Sequence, residues 1–147
     1  MGRIILGAVI GFVVWTIFLI GSDQVWMALS PDWYGRHQTE FEAAVNNKTS
    51  FTADSTILII AVLRSAIFSV ITGFIAASIS KESFKSPLLL GILLLAFGSF
   101  IHSMILNNVP FWYHVLILLP LIPLTVLGGK LRKQNHIFNR ALSNSKR

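Results

Sequence analysis

Residues 55–80 read STILIIAVLRSAIFSVITGFIAASIS. The run carries a single ionised side chain, Arg64, and no proline. A helix crosses the hydrocarbon core of a bilayer in about 20 apolar residues. In lipid, an isolated run of this length satisfies its backbone hydrogen bonds only as a helix. The stretch is therefore read as a transmembrane span, and the rest of the chain is read around it. Three further stretches have the same character, at about residues 4–22, 88–106 and 111–129. The fold class that follows is all-α, an integral membrane four-helix bundle. Residues 1–130 make the transmembrane domain and residues 131–147 a basic tail.

Composition supports this. Of 147 residues, 54% are hydrophobic and 12% charged, about half the charge of a soluble domain. Four spans leave too little chain for a second core. The chain has no cysteine, which excludes disulfide relays and thiolate metal sites. Met1-Gly2-Arg3 and the apolar run to Ile20 have the outline of a signal peptide. The run exceeds the roughly 7–15 residues of a signal core. Trp26-Met27-Ala28 also places a tryptophan where cleavage needs a small residue. The segment is read as a retained span.

Orientation follows from lysine and arginine, which concentrate on the cytoplasmic side. Arg3, Lys81, Lys85, Lys130, Arg132, Lys133, Arg140, Lys146 and Arg147 fall on one side of the four spans, and only Arg36 and Lys48 on the other. Both termini are expected in the cytoplasm, with residues 30–54 outside. In that outer segment Phe41, Ala44 and Val45 recur at helical spacing and predict a short interfacial helix. Trp26, Trp33, Trp112 and Tyr113 flank the spans as interfacial aromatics. Ser86-Pro87 reads as a cap followed by a first-turn proline.

Within the spans, small residues recur every fourth position. Ala61, Ser65, Ser69, Gly73 and Ala77 form such a ladder in the second, Gly7 and Gly11 in the first, Ser99 and Ser103 in the third. Small residues let helix backbones approach closely in lipid. The ladder reads as packing inside one bundle, with a dimer face or a substrate groove as the other reading. Pro120 and Pro123 interrupt the backbone bonding of the fourth span.

The ionisable residues of the spans gather at one level. Arg64 lies about one turn inside the outer boundary, where it must either snorkel or pair. Asp23, at the outer end of the first span, is the expected partner, and Asp54 the weaker choice. His102 and His114 lie on spans joined by a very short turn, so their rings stand at similar depth. Each is read as bonding a carbonyl or neighbouring side chain; ligation of a metal or haem is the other reading. Asp23, Arg64, His102 and His114 together define an outward-facing polar cluster and possible binding site. No cofactor is implied.

Gly11-Phe12-Val13-Val14-Trp15, Trp112-Tyr113-His114 and Leu127-Gly128-Gly129-Lys130-Leu131-Arg132 together resemble a family of small four-span bacterial inner-membrane proteins without assigned function. The resemblance covers most of the chain and implies a bacterial inner membrane, without implying an activity. Small multidrug exporters of similar size carry a glutamate inside the first span, whereas residues 4–20 here contain no acid.

Three functions remain open at this point. The first is a non-enzymatic accessory or structural membrane protein, associated with itself or with another membrane protein. The second is a small transporter or ligand-binding bundle using the polar cluster. The third is a haem-binding redox protein. The tail presents Ile137, Phe138, Ala141 and Leu142 beside Arg132, Lys133 and Arg140, a pattern that lies on anionic lipid. The positive-inside bias accounts for the basic charge without nucleic acid. In intact cells, Asn46→Cys should be labelled by a membrane-impermeant maleimide and Ser145→Cys should not. Labelling at 145 from outside would reverse the orientation.

Overall fold

The computed structural model describes the backbone of residues 1–145 and the side chains of residues 1–134. Every regular element among them is helical. Helix α1 spans Gly2–Leu29 and leads through a π-helical turn, Pro31–Gly35, into α2, Arg36–Asn47. Helix α3 spans Ser55–Ser80, α4 Lys85–Met104, α5 Phe111–Leu118 and α6 Leu121–Ser145. Four stretches are long and apolar enough to cross a membrane: Gly2–Leu29, Ser55–Ser80, Lys85–Met104 and Phe111–Gln134.

The bundle is a ring of four. α3 lies between α1 and α6, and α4 closes the ring against α6 and α1. Its centre holds Ala8, Trp15, Ala76, Leu90, Leu94 and Leu121. Larger apolar side chains such as Ile5, Val9, Val13 and Ile17 of α1 point outward. That inversion of the soluble pattern suits a bilayer, where outer side chains are solvated by hydrocarbon and helices associate through close packing.

The close approaches are made by small residues. A Cβ on Gly7 would lie 2.6 Å from the Ala76 carbonyl oxygen and 2.6 Å from Ser86 Oγ. A Cβ on Gly73 would strike the Thr125 backbone, and one on Gly128 the Val70 backbone. The ladder of α3 thus serves two neighbours. Ser69 accepts a hydrogen bond from Trp15 Nε1 at 3.2 Å on the α1 side, while Gly73 meets α6. Ser65, Ser69, Gly73 and Ala77 are buried, and Ala61 is half-buried. Ser99 and Ser103 depart from expectation and lie exposed. The inward face of α4 runs through Leu90, Gly91, Leu94, Gly98 and His102, one position earlier in the helical repeat. Gly91 makes the close contact there, its Cβ position lying 2.6 Å from Thr125 Oγ1.

Helix ends differ from the sequence reading in several places, and α6 runs on past residue 129 to Ser145. α1 does not stop near Ser22 but runs on to Leu29, which puts Asp23 inside a helix. α4 begins at Lys85, and Ser86 is not its cap. Instead the Glu82 carboxylate accepts from the amides of Phe84 (3.2 Å), Lys85 and Ser86 (3.2 Å). An anion suits this position, because the unpaired N–H groups of a helix start carry positive charge. Ser86 Oγ donates to the Ile4 carbonyl at 3.0 Å and ties α4 to α1. The fourth span is broken at Leu119–Pro120, between α5 and α6. Pro120 has no N–H to continue the ladder, whereas Pro123 falls in the first turn of α6, where none is needed. The apolar face proposed for residues 137–142 lies outside the described side chains.

Gly73→Leu should destabilise the bundle by roughly 3 kcal/mol, as forced overpacking does. Gly21→Leu should be neutral, since nothing lies within 4 Å of a Cβ there. Unfolding in detergent reads both. A wild-type stability for Gly73→Leu would mean that α3 and α6 do not touch at this level.

Candidate functional site

The end of the bundle that carries α2 holds the ionisable residues that lie within the spans. Arg64 sits on the third turn of α3, and its side chain is 12% exposed. Its Nη2 donates to Asp23 Oδ1 at 2.6 Å and to the Tyr34 hydroxyl at 3.1 Å. Its Nη1 donates to Ser22 Oγ at 3.0 Å. Ser22 passes its own hydrogen to the Leu19 carbonyl at 2.8 Å. The Tyr34 hydroxyl donates in turn to Asp23 Oδ1. The guanidinium is therefore paired and does not snorkel, and Asp54 is not its partner. Excellent geometry is what a desolvated pair needs, because removing two charges from water costs several kcal/mol each.

Asp54 has separate duties. As the residue before α3 it accepts from Thr56 N at 2.7 Å, and it accepts from Trp33 Nε1 at 3.0 Å. These donors hold its carboxyl below the usual range, the Trp33 bond foremost. Its own amide donates to His37 Nε2 at 3.0 Å. Burial holds His37 below its ordinary value, which keeps the ring neutral and able to accept. The His37 ring also packs edge-on against Phe51, at 5.0 Å between centroids. Trp33 and His37 thus fasten the π-helical turn and α2 across the bundle end.

Tyr34 is the residue that sequence reasoning missed. It is 2% exposed, in a segment that reads as a polar loop. Burial and the hydrogen bond to Asp23 push its phenol well above the ordinary value, so it remains a donor at any physiological pH. The available signal was a pair of aromatics, Trp33-Tyr34, following Pro31. That pattern reads equally as interfacial anchoring.

The two histidines meet each other. His102 Nδ1 and His114 Nδ1 stand 2.6 Å apart, with both rings buried. One proton lies between them, donated by one ring and accepted by the other. Two nitrogens on one tetrahedral metal stand about 3.3 Å apart at normal bond lengths, so these two atoms do not share an ion. Among the described residues no group of three His, Asp or Glu side chains is arranged to hold a metal. A haem ligated by both rings at once would need them on opposite faces of one iron, and here they face one another. The Tyr113 ring stacks on His102 at 5.5 Å, so this aromatic turns inward rather than toward the interface. Trp112 and Trp33 are exposed, and Trp26 is half-buried against Tyr34.

Between the two pairs lies a cavity of about 210 Å³. Asp23, Tyr34, His37, Gln38, Arg64, Ser65, His102 and Tyr113 supply the polar part of its lining. Side chains such as Phe41, Ile57, Phe97 and Ile117 supply the apolar remainder. His114 stands behind His102 and does not line it. Asp23 and Arg64 touch, His102 and His114 touch, and His102 shares the cavity wall with the ion pair. A dry cavity of about 150 Å³ already holds benzene or xenon, so this one accommodates a ring bearing a small substituent.

No protein-family model, curated protein or solved structure matches the chain. The reading of the site rests on its geometry.

Arg64→Ala and Asp23→Asn should each cost a few kcal/mol, because each leaves a partly buried charge unpaired. The double variant should cost less than the sum by about 1–3 kcal/mol. A double-mutant cycle on unfolding in detergent measures the difference, and strict additivity would dissolve the pair.

Proposed function

We propose that this chain is a multi-pass protein of a bacterial inner membrane whose bundle receives a small, largely apolar molecule bearing one polar group. Its termini lie in the cytoplasm, as the charge asymmetry favours. The cavity then lies in the outer half, beneath the strap formed by the π-helical turn and α2. The basic charge of residues 131–147 is drawn to the anionic lipid of the inner leaflet.

The observation that carries the ligand-binding reading is a cavity of about 210 Å³ with an ion pair in one wall. Ligand sites are typically apolar with a few placed polar groups that fix orientation. Here the ion pair, His102 and a few other hydrogen-bonding groups are set in a lining that is otherwise hydrocarbon. Binding is favoured over catalysis because Asp23 is held by Arg64 and Tyr34. A carboxylate engaged in this way orients its neighbours and is not available as a base. The accessory reading is favoured by no particular feature of the site. Transport of the bound molecule would need only that the cavity be reached from both sides, and the break at Pro120 places a bend beside it.

Benzyl alcohol is a suitable first probe, being an aromatic ring with one hydroxyl. In lipid nanodiscs it should show saturation-transfer signals from the protein. Ala61→Trp should abolish them, because Ala61 lines the cavity and the indole would occupy it. Equal binding by the wild type and Ala61→Trp would place the ligand elsewhere and remove the basis of the proposal.

A further inference from the structure

We propose that the cavity takes a small monoanion, with an aromatic or short aliphatic body, together with one proton held by the His102–His114 pair. The inference rests on the ligand-binding reading above and names the class of ligand.

Charge balance comes first. Arg64 is already neutralised by Asp23 at 2.6 Å, so the cavity offers no net positive charge to an anion. An uncompensated charge in a low-dielectric interior is expensive. An anion therefore enters most favourably if a proton enters with it. Arg64 lines the cavity and keeps one guanidinium donor unused. Its Nε–H is buried, and the bonds to Asp23, Tyr34 and Ser22 leave it unused.

The histidine pair is built to gain a single charge. With 2.6 Å between the Nδ1 atoms, one proton fills the gap. The neutral pair carries a second proton on one Nε2. A third, on the other Nε2, makes the pair a monocation and leaves the bridge intact. A fourth would put protons on both Nδ1 atoms and force the rings apart. The pair therefore accepts one proton without rearrangement and spreads the charge over two rings. His114 Nε2 is buried without a partner, and His102 lines the cavity.

The surrounding groups do not compete for that proton. Asp23 of α1 is engaged by Arg64 of α3 and by Tyr34 of the π-helical turn. His37 of α2 is held on the Asp54 amide. Tyr113 of α5 is a phenol stacked on His102, and α6 contributes Leu121, which does not titrate. The pair is the remaining base at the wall.

Benzenesulfonate tests this, because it stays ionised throughout the relevant pH range and any proton taken up must land on the protein. Binding is measured in nanodiscs of zwitterionic lipid, with benzyl alcohol in parallel. One proton should be taken up per benzenesulfonate bound, seen as a pH rise in weak buffer. Affinity should fall about tenfold for each pH unit over the range in which the empty pair is neutral. The double variant His102→Gln with His114→Gln should lose that slope. Should the variant fail to fold, the proton count on the wild type decides alone. If benzyl alcohol binds while benzenesulfonate either does not bind or binds without proton uptake, this inference is overturned and the ligand-binding reading stands. If neither probe binds, both fall.

Discussion

A guanidinium that does not snorkel out of hydrocarbon needs a partner, and the architecture at one end of this bundle follows from how Arg64 meets Asp23. The carboxylate comes from α1, which must stay helical past Ser22 to present it. The pair leaves lone pairs and protons to satisfy, and Ser22 and Tyr34 satisfy them. Tyr34 is reached only if the chain reverses soon after α1, and the π-helical turn performs that reversal. Once Tyr34 is fixed, Trp33 and His37 come within reach of Asp54, and α2 is drawn over the bundle end. One buried charge thus organises four elements. A buried pair gives modest net stability when compared with hydrocarbon, so what it contributes here is position.

The opposite half is held by a different means. There the helices touch backbone to backbone, at Gly7 with Ala76, Gly73 with Thr125, and Gly128 with Val70. Helices that cross at such contacts diverge away from them. The bundle is accordingly narrow where the small residues lie and wider toward α2, where the polar side chains and the cavity occupy the space between. Ser69, bonded to Trp15, stands near the transition. The packing ladder and the cavity are two consequences of one helix crossing.

The sequence disclosed the helices and the partner of Arg64 because both follow from the cost of polar groups in lipid, which acts residue by residue. It disclosed the common depth of His102 and His114 because a short turn fixes it. The Nδ1–Nδ1 contact was not legible, since it depends on the rotation of both helices about their axes, and a few tens of degrees would abolish it. Tyr34 was illegible because its burial is created by a loop folding back, which leaves no periodic signal. The capping role of Glu82 was hidden behind Ser86-Pro87, a stronger local pattern overridden when Ser86 found the Ile4 carbonyl. The inward Gly91 and Gly98 were passed over for Ser99 and Ser103 because helical spacing gives a face without saying which way it points.

The two sides of α1 carry unequal amounts of information. Ile5, Val9, Val13 and Ile17 face outward, where any branched hydrocarbon serves as well as another. Gly7, Ala8, Gly11 and Trp15 face inward, where one added methyl would meet a neighbouring helix or one lost ring would empty the core. Drift over generations should therefore rewrite the first set freely and leave the second nearly untouched. In such a chain ancestry is recorded in its least bulky residues and its few charges, a sparse script that overall resemblance reads poorly.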